Sequence, residues 1–270
     1  MTHNFSIACV LALAASLILA GSGSVHAQGQ IFVLESTAPN VKVGTAYAMD
    51  ERITIPAGAT VRIVTPSGKT QTIKGPYSGP ATDLARGQKA NDSVMAWLKN
   101  LVQTGGSHEK TPGATRSSRV PPQLPAAGFS WTTIPTTMNS TICVEKGAKL
   151  QLRRASSQAA DRITVVDLTT AERGEVEFAA GSQVAVWPAG IVPRDDRAYA
   201  LLAPENRPRR QLTLRVLDSL PGEDSVLAEL AARDCKYQFD AWVKERMAGA
   251  TQGVVGIILR QCPRWVARSA

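Results

Sequence analysis

The stretch RITVVDLTTAERGEVEFAAGSQVAVWPAG, residues 162–190, decides how this chain is read. Arg162–Leu168, Glu175–Ala179 and Gln183–Trp187 read as strands, with apolar and polar side chains alternating in Arg162–Val165 and Glu175–Phe178. Gly174, Gly181 and Pro188-Ala189-Gly190 punctuate them. A period of two between turn signals predicts half-buried strands. The same rhythm extends outward, to Phe129–Thr133, Thr141–Glu145 and Lys149–Arg154 before it, and to Arg197–Leu202 and Gln211–Leu217 after it. Short strands at this spacing predict a β-sandwich or barrel. No strand-then-helix alternation is present, which argues against a dinucleotide-binding fold.

Pro221-Gly222 then predicts a closing helix, with Glu223 and Asp224 in its first turn, where the helix dipole favours acids. Leu227, Ala231, Cys235, Phe239, Trp242 and Val243 fall on one apolar stripe, so Cys235 is expected on the buried face of that helix, with Gly249 as its stop. Residues 249–270 read as a basic tail carrying Arg260, Arg264 and Arg268. An extra strand or a frayed helix there is equally compatible with Val254–Leu259.

Nearer the start, Gln30–Glu35, Arg52–Ile55, Thr60–Val64 and Lys69–Lys74 read as a small antiparallel meander. Thr65-Pro66-Ser67-Gly68 suits a type I turn. A helix capped by Asp83 or Asn91 should follow and pack Val94, Trp97, Leu98, Leu101 and Val102 on the meander. Residues 104–127 carry Gly, Ser, Thr and Pro without apolar periodicity and read as a linker. Phe5–Gly21 is almost wholly apolar and leads to Val25-His26-Ala27, an export-signal pattern cut after Ala27. The alternative is an uncleaved anchor. No lipobox precedes a cysteine. The expectation is therefore a periplasmic or secreted, mainly β protein with a few helices. It has a signal (1–27), a meander-plus-helix module (28–103), a linker (104–127), a β-sandwich-like domain with a closing helix (128–248) and a tail (249–270).

Of 270 residues, 44% are hydrophobic and 19% charged, so a wholly disordered chain is excluded. The net charge of +8 is spread as +3 over 28–103, +2 over 104–127, +2 over 128–220 and +1 over 221–270. Nucleic-acid binders concentrate such an excess on one face, so no nucleic-acid partner is expected. Loose contact with an anionic wall or membrane surface fits better. His3 and His26 lie in the signal, leaving His108, in the linker, as the one histidine of the exported chain. That argues against histidine-based zinc sites and a Ser-His-Asp triad. There is no C-x-x-C, G-x-S-x-G, P-loop or G-x-G-x-x-G. Asp195-Asp196 is the only adjacent Asp pair, and with Arg194 and Arg197 beside it reads as an ion-paired turn; Asp50-Glu51 reads alike. Tyr77, Trp131 and Tyr199 are the aromatics that could face solvent, and nothing clusters them. Cys143, Cys235 and Cys262 follow the signal, so one is left over from any single bridge.

Residues 31–79, with "VGT" and then "ITIPAGATVRIVTPSGKTQTIKG", resemble the extracytoplasmic β-domain of the FecR family of iron-dicitrate sensors. Family members that regulate sigma factors place a cytoplasmic segment and a spanning helix before this domain. Here a signal stands there, so anti-sigma signalling does not carry over. The whole layout also resembles a group of uncharacterised secreted Gram-negative proteins, with "ICV", a "WP" strand end and "ARxC". That resemblance implies a Cys143–Cys235 bridge, which an oxidising compartment permits. Cys262 is then the free thiol. Two buried free thiols, or a Cys235–Cys262 pair, are the alternatives.

No cofactor or metal is expected, and the chain reads as non-enzymatic. An envelope interaction or structural protein with an unidentified protein partner is the first reading. A cell-wall or polysaccharide-binding module is the second, and a carboxylate-dependent hydrolase the third.

Overall fold

A computed structural model describes residues 29–104 and 128–260. The expected signal, nearly all of the expected linker (with His108) and Cys262 lie outside the described residues. The fold is mainly β, with fourteen strands in four sheets and four α-helices among the described residues.

The first strand, β1 (Gln30–Ser36), carries Ile31, Phe32, Val33 and Leu34, all buried. A strand apolar at every position is covered on both faces, and β1 is. Ile31 and Val33 enter a small core with Ile53, Ile55, Val61 and Ile63. Phe32 and Leu34 enter a second core under the helices. β2 (Ala46–Ala48) pairs with β1. β3 (Arg52–Ile55) pairs with β6 (Tyr77–Pro80) across the small core. β4 (Thr60–Val64) and β5 (Thr70–Lys74) form the expected hairpin, and β4 also pairs with β1. In its turn the Gly68 N–H donates to the Thr65 carbonyl at 2.9 Å. A Cβ on Gly68 would lie 2.8 Å from Val94 and 3.0 Å from Ala228, so this turn seats against the helices.

A short α1 (Ala81–Leu84) precedes α2 (Asp92–Thr104). Asn91, not Asp83, caps α2: its Oδ1 accepts the N–H groups of Ser93 (3.2 Å) and Val94 (3.4 Å). Val94, Leu98 and Leu101 face Phe32, Leu34 and Val64 as expected, but Val102 is exposed.

The second half holds β7 (Thr133–Pro135), β8 (Ser140–Glu145), β9 (Gln151–Arg153), β10 (Asp161–Asp167), β11 (Arg173–Phe178), β12 (Val184–Val186), β13 (Arg197–Ala203) and β14 (Arg207–Leu217). They form a five-stranded sheet, β11-β10-β13-β14-β8, and a three-stranded sheet, β12-β9-β7. A common core of Ile134, Leu152, Ile142, Val165, Phe178, Trp187, Tyr199 and Leu214 lies between them, which makes this a sandwich. The strand expected at Phe129–Thr133 begins only at Thr133. Ser130 Oγ accepts the N–H groups of Thr132 and Thr133, both at 3.1 Å, and bends the chain there.

The closing helix differs from its expected form in two ways. It is broken into α3 (Val226–Ala232) and α4 (Lys236–Arg260). Asp234 adopts φ 60°, and the Cys235 N–H reaches back to the Leu230 carbonyl at 2.8 Å. This is a Schellman stop with Asp in the place glycine usually takes. Cys235 is thus not inside a helix. It stands at the corner, its carbonyl accepting the Phe239 N–H at the head of α4. The helix also does not stop at Gly249 and runs to Arg260. A lone glycine costs about 1 kcal/mol in a helix and does not end one unaided. The segment expected as a basic tail is therefore helical through Arg260.

The two sheet systems share a core. Phe32, Leu34 and Val64 from the first, Cys143 and Leu217 from the second, and Leu227, Leu230, Phe239, Trp242 and Val243 from α3 and α4 form one cluster. A charge clamp rims it. Glu223 takes Arg246 at 2.5 Å and Arg62 at 3.3 Å, and both guanidiniums lie over the Trp242 ring, at 4.7 and 6.0 Å. The hydrogen bond from Arg246 is the main influence holding the Glu223 carboxyl below its usual range; partial burial opposes it, and the charges of both arginines add to the lowering. A depressed carboxyl stabilises the fold above its unfolded value near 4.5 and loses that contribution as pH falls through the lower folded value. Glu223→Gln should therefore lower the melting temperature at pH 7 by about 1–2 °C, a small shift because the pair is half exposed. The gap between variant and wild type should shrink as pH falls through the lowered folded value and close beneath it. Melting curves from pH 7 to 3 check this, and a gap that stays constant would refute it.

Candidate functional site

Cys143 on β8 and Cys235 at the α3–α4 corner form a disulfide, with Cα atoms 5.8 Å apart and both residues fully buried. Beside it, Gln238 closes the outer edge of β8. Its Oε1 accepts the Cys143 N–H (2.6 Å), and its Nε2 donates to the carbonyls of Cys143 (2.7 Å) and Ser130 (2.8 Å). One side-chain amide thus does what the peptide group of a further strand would do. These residues hold the molecule together and present no reactive group to solvent.

The other sequence candidates are also structural. Asp195 Oδ1 accepts the Val216 N–H at 2.8 Å and lies 4.0 Å from Arg233, and Asp196 pairs with Arg215 at 2.5 Å. The ion-paired turn is there, but its partners come from β14 and the helix corner rather than from the neighbouring Arg194 and Arg197. Glu51 accepts the Ala48 N–H. Tyr199, expected to be able to face solvent, is fully buried; its hydroxyl donates to the Val192 carbonyl and accepts the Arg194 N–H, and its ring meets Trp187 edge-on. Trp131 packs edge-on against Phe129, and the Tyr77 hydroxyl donates to the Pro80 carbonyl. Among the described residues no group of three His, Cys, Asp or Glu side chains is placed to hold a metal ion. No helix among them is long and apolar enough to cross a membrane.

The feature with the chemistry of a binding site is a cleft of about 640 Å³ at one end of the sandwich. Arg154, Arg209 and Arg210 line it with Thr136, Thr137, Ser156, Gln158 and Asp161. Three guanidiniums against one carboxylate leave it net positive. Arg154 builds the cleft. It is only 8% exposed and donates to the carbonyls of Ala159 (2.6 Å), Ala179 (2.9 Å) and Ser182 (2.8 and 3.0 Å), tying two loops to the end of β9.

Arg209 and Arg210 are adjacent in β14 and would point to opposite faces of a regular strand. They do not, because the ladder slips. Leu201 pairs with Arg210 and Leu202 with Pro208, leaving Arg209 without a partner on β13. Such a bulge re-aims side chains, and here both arginines reach the same cleft. Arg209 forks onto Asp161 at 2.9 and 3.4 Å. Arg210 is exposed and braced by the carbonyls of Thr137 and Arg209, both at 2.7 Å.

None of these residues is singled out by sequence reasoning, although Arg207-Pro208-Arg209-Arg210 is a visible basic run. Charge summed over 128–220 hides it. No protein-family model, no curated protein and no solved structure matches this chain.

Proposed function

We propose that this chain is an exported, non-enzymatic envelope protein that holds an anionic partner in the arginine-lined cleft. The bulge that turns Arg209 and Arg210 into one cavity carries this reading. Guanidiniums are the side chains best suited to planar, bidentate recognition of carboxylate and phosphate. The export pattern at residues 5–27 supports an extracytoplasmic compartment, and the buried Cys143–Cys235 pair suits an oxidising one. The segment that resembles the FecR β-domain, residues 31–79, contributes no lining residue to the cleft.

A cross-linked pull-down from envelope extract tests the reading, with tagged wild type and an Arg209→Ala/Arg210→Ala variant compared side by side. A discrete protein captured by the wild type and lost with the variant is the expected result. Sedimentation of the wild type with purified cell wall, reversed by salt and by the variant, would replace the protein partner with an anionic wall polymer. Equal capture by both proteins would remove the cleft from the function.

A further inference from the structure

We infer that the cleft is a carboxylate site for an acidic peptide segment of a protein partner, and that Asp161 is the internal carboxylate such a ligand displaces. This rests on the reading of the cleft as the binding site. Three observations on the cleft lead to it.

The first is the Arg209–Asp161 fork. Both terminal nitrogens of Arg209 engage the two oxygens of one carboxylate, at 2.9 and 3.4 Å. The native pair shows that Arg209 is already aimed to take a carboxylate bidentately. The pair is accessible to solvent, with 31% of the Arg209 side chain and 27% of the Asp161 side chain exposed, so an incoming carboxylate can reach it. Exchange of one carboxylate for another keeps the guanidinium paired, and the displaced Asp161, already partly exposed, turns to water.

The second is Arg210. Its contacts are to two backbone carbonyls, which fix the side chain while leaving its positive charge uncompensated by any carboxylate at salt-bridge distance among the described residues. A ligand with two or more carboxylates can satisfy Arg209 and Arg210 together.

The third is the rest of the lining. It consists of hydroxyl, amide and small side chains, and no aromatic ring is among them. Sugar rings and bases are commonly held on aromatic faces, and this cleft offers none. Hydroxyls and side-chain amides suit a peptide, whose backbone donates and accepts along its length. The volume, about 640 Å³, is that of a site for a small ligand or a few residues of a chain.

Fluorescence anisotropy tests this, using the purified protein and a labelled, extended peptide alternating glutamate with valine. Competitors are the same peptide with glutamine for glutamate, inorganic phosphate, and an oligogalacturonate. The expected result is binding by the acidic peptide alone, weakened about tenfold by Arg209→Ala and by Arg210→Ala. Asp161→Asn should tighten it severalfold, and that gain should vanish in an Arg209→Ala background, where Asp161 holds no guanidinium to yield; a mere change of local field would persist there through Arg210. Arg210 is exposed, so its variant keeps the wild-type melting temperature and stands alone if Arg209→Ala disturbs the fold. Cleft-dependent binding of oligogalacturonate or phosphate in place of the peptide would overturn the peptide assignment and leave the anion-site reading standing. Absence of binding by every anion would overturn both. Peptide binding indifferent to the arginine substitutions would overturn the site.

Discussion

Replacing Cys143 and Cys235 together by alanine should cost about 4–5 kcal/mol of stability, the chain-entropy value for cross-linking residues 92 apart. For a chain of this size that corresponds to a drop of roughly 8–20 °C in melting temperature. The location makes the loss specific. The bridge joins β8 of the sandwich to the corner between α3 and α4. Those helices carry Leu227, Leu230, Phe239, Trp242 and Val243 into the core they share with β1 and β4. Without the bridge, the helices and the first sheet can separate from the sandwich while the sandwich keeps its own core. Amide exchange should therefore accelerate first in α2, α3 and α4, and last in β10, β13 and β14. Both cysteines are fully buried, so a reductant added to the folded protein should act only at the rate of opening. Denaturation of the variant, compared with wild type, checks the magnitude. A loss below about 1 kcal/mol would mean that apolar packing alone holds the corner.

The parts of the fold that are legible in the sequence are those set by local period. The turn-bounded, largely apolar segments Arg162–Leu168 and Arg197–Leu202 mark β10 and β13 to within a residue or so of Asp161–Asp167 and Arg197–Ala203. β2 and β6 have no such signal. Ala46–Ala48 is nearly featureless, and Tyr77–Pro80 contains a glycine and a proline; both strands exist because β1 and β3 offer edges to pair with. The break between α3 and α4 is hidden because Asp234 rather than glycine takes the left-handed position. The sharing of one core by both sheet systems is hidden too, since each apolar stripe states that it is buried and not against what. Only the unbroken apolar run Ile31–Leu34 hints at a strand covered on both faces. The cleft is the least legible feature. Arg154, Asp161 and Arg209 come from three different strands or strand ends, and a bulge, which has no simple sequence mark, brings two consecutive arginines to one side. Gln238 did leave a mark. It is a polar residue three positions after Cys235 and four before Trp242, on the face that helical spacing assigns to the core.

That residue carries the other large effect. Gln238→Leu keeps the approximate size and apolar fit of the side chain but strands the Cys143 N–H and two carbonyls that the amide now satisfies. The Cys143 N–H and carbonyl are buried and cost about 1–3 kcal/mol each when unpartnered, while water can reach the half-buried Ser130 carbonyl, so the expected loss is about 2–5 kcal/mol. A second variant separates hydrogen bonding from packing. In Gln238→Glu, one carboxylate oxygen can still accept the Cys143 N–H. The other would face the carbonyl oxygens of Cys143 and Ser130, which lie 2.7 and 2.8 Å from the present amide nitrogen. Ionisation there is opposed by burial and by both carbonyls, so the new carboxyl should titrate above its unfolded value. The sign follows from proton binding. The folded state holds the proton to higher pH than the unfolded state does, so the variant is most destabilised at high pH and recovers as pH falls through the raised folded value. A protonated carboxyl can donate to one of the two carbonyls, restoring part of the native network. Urea midpoints measured from pH 8 to 5 should show the Gln238→Glu deficit shrinking while the Gln238→Leu deficit stays constant. A pH-independent deficit in both would mean that Gln238 contributes shape rather than hydrogen bonds. The disulfide and the amide hold the same residue of β8, so their losses should not add. With Cys143 released from the α3–α4 corner by removal of the bridge, Gln238→Leu should cost less than it does in the wild type.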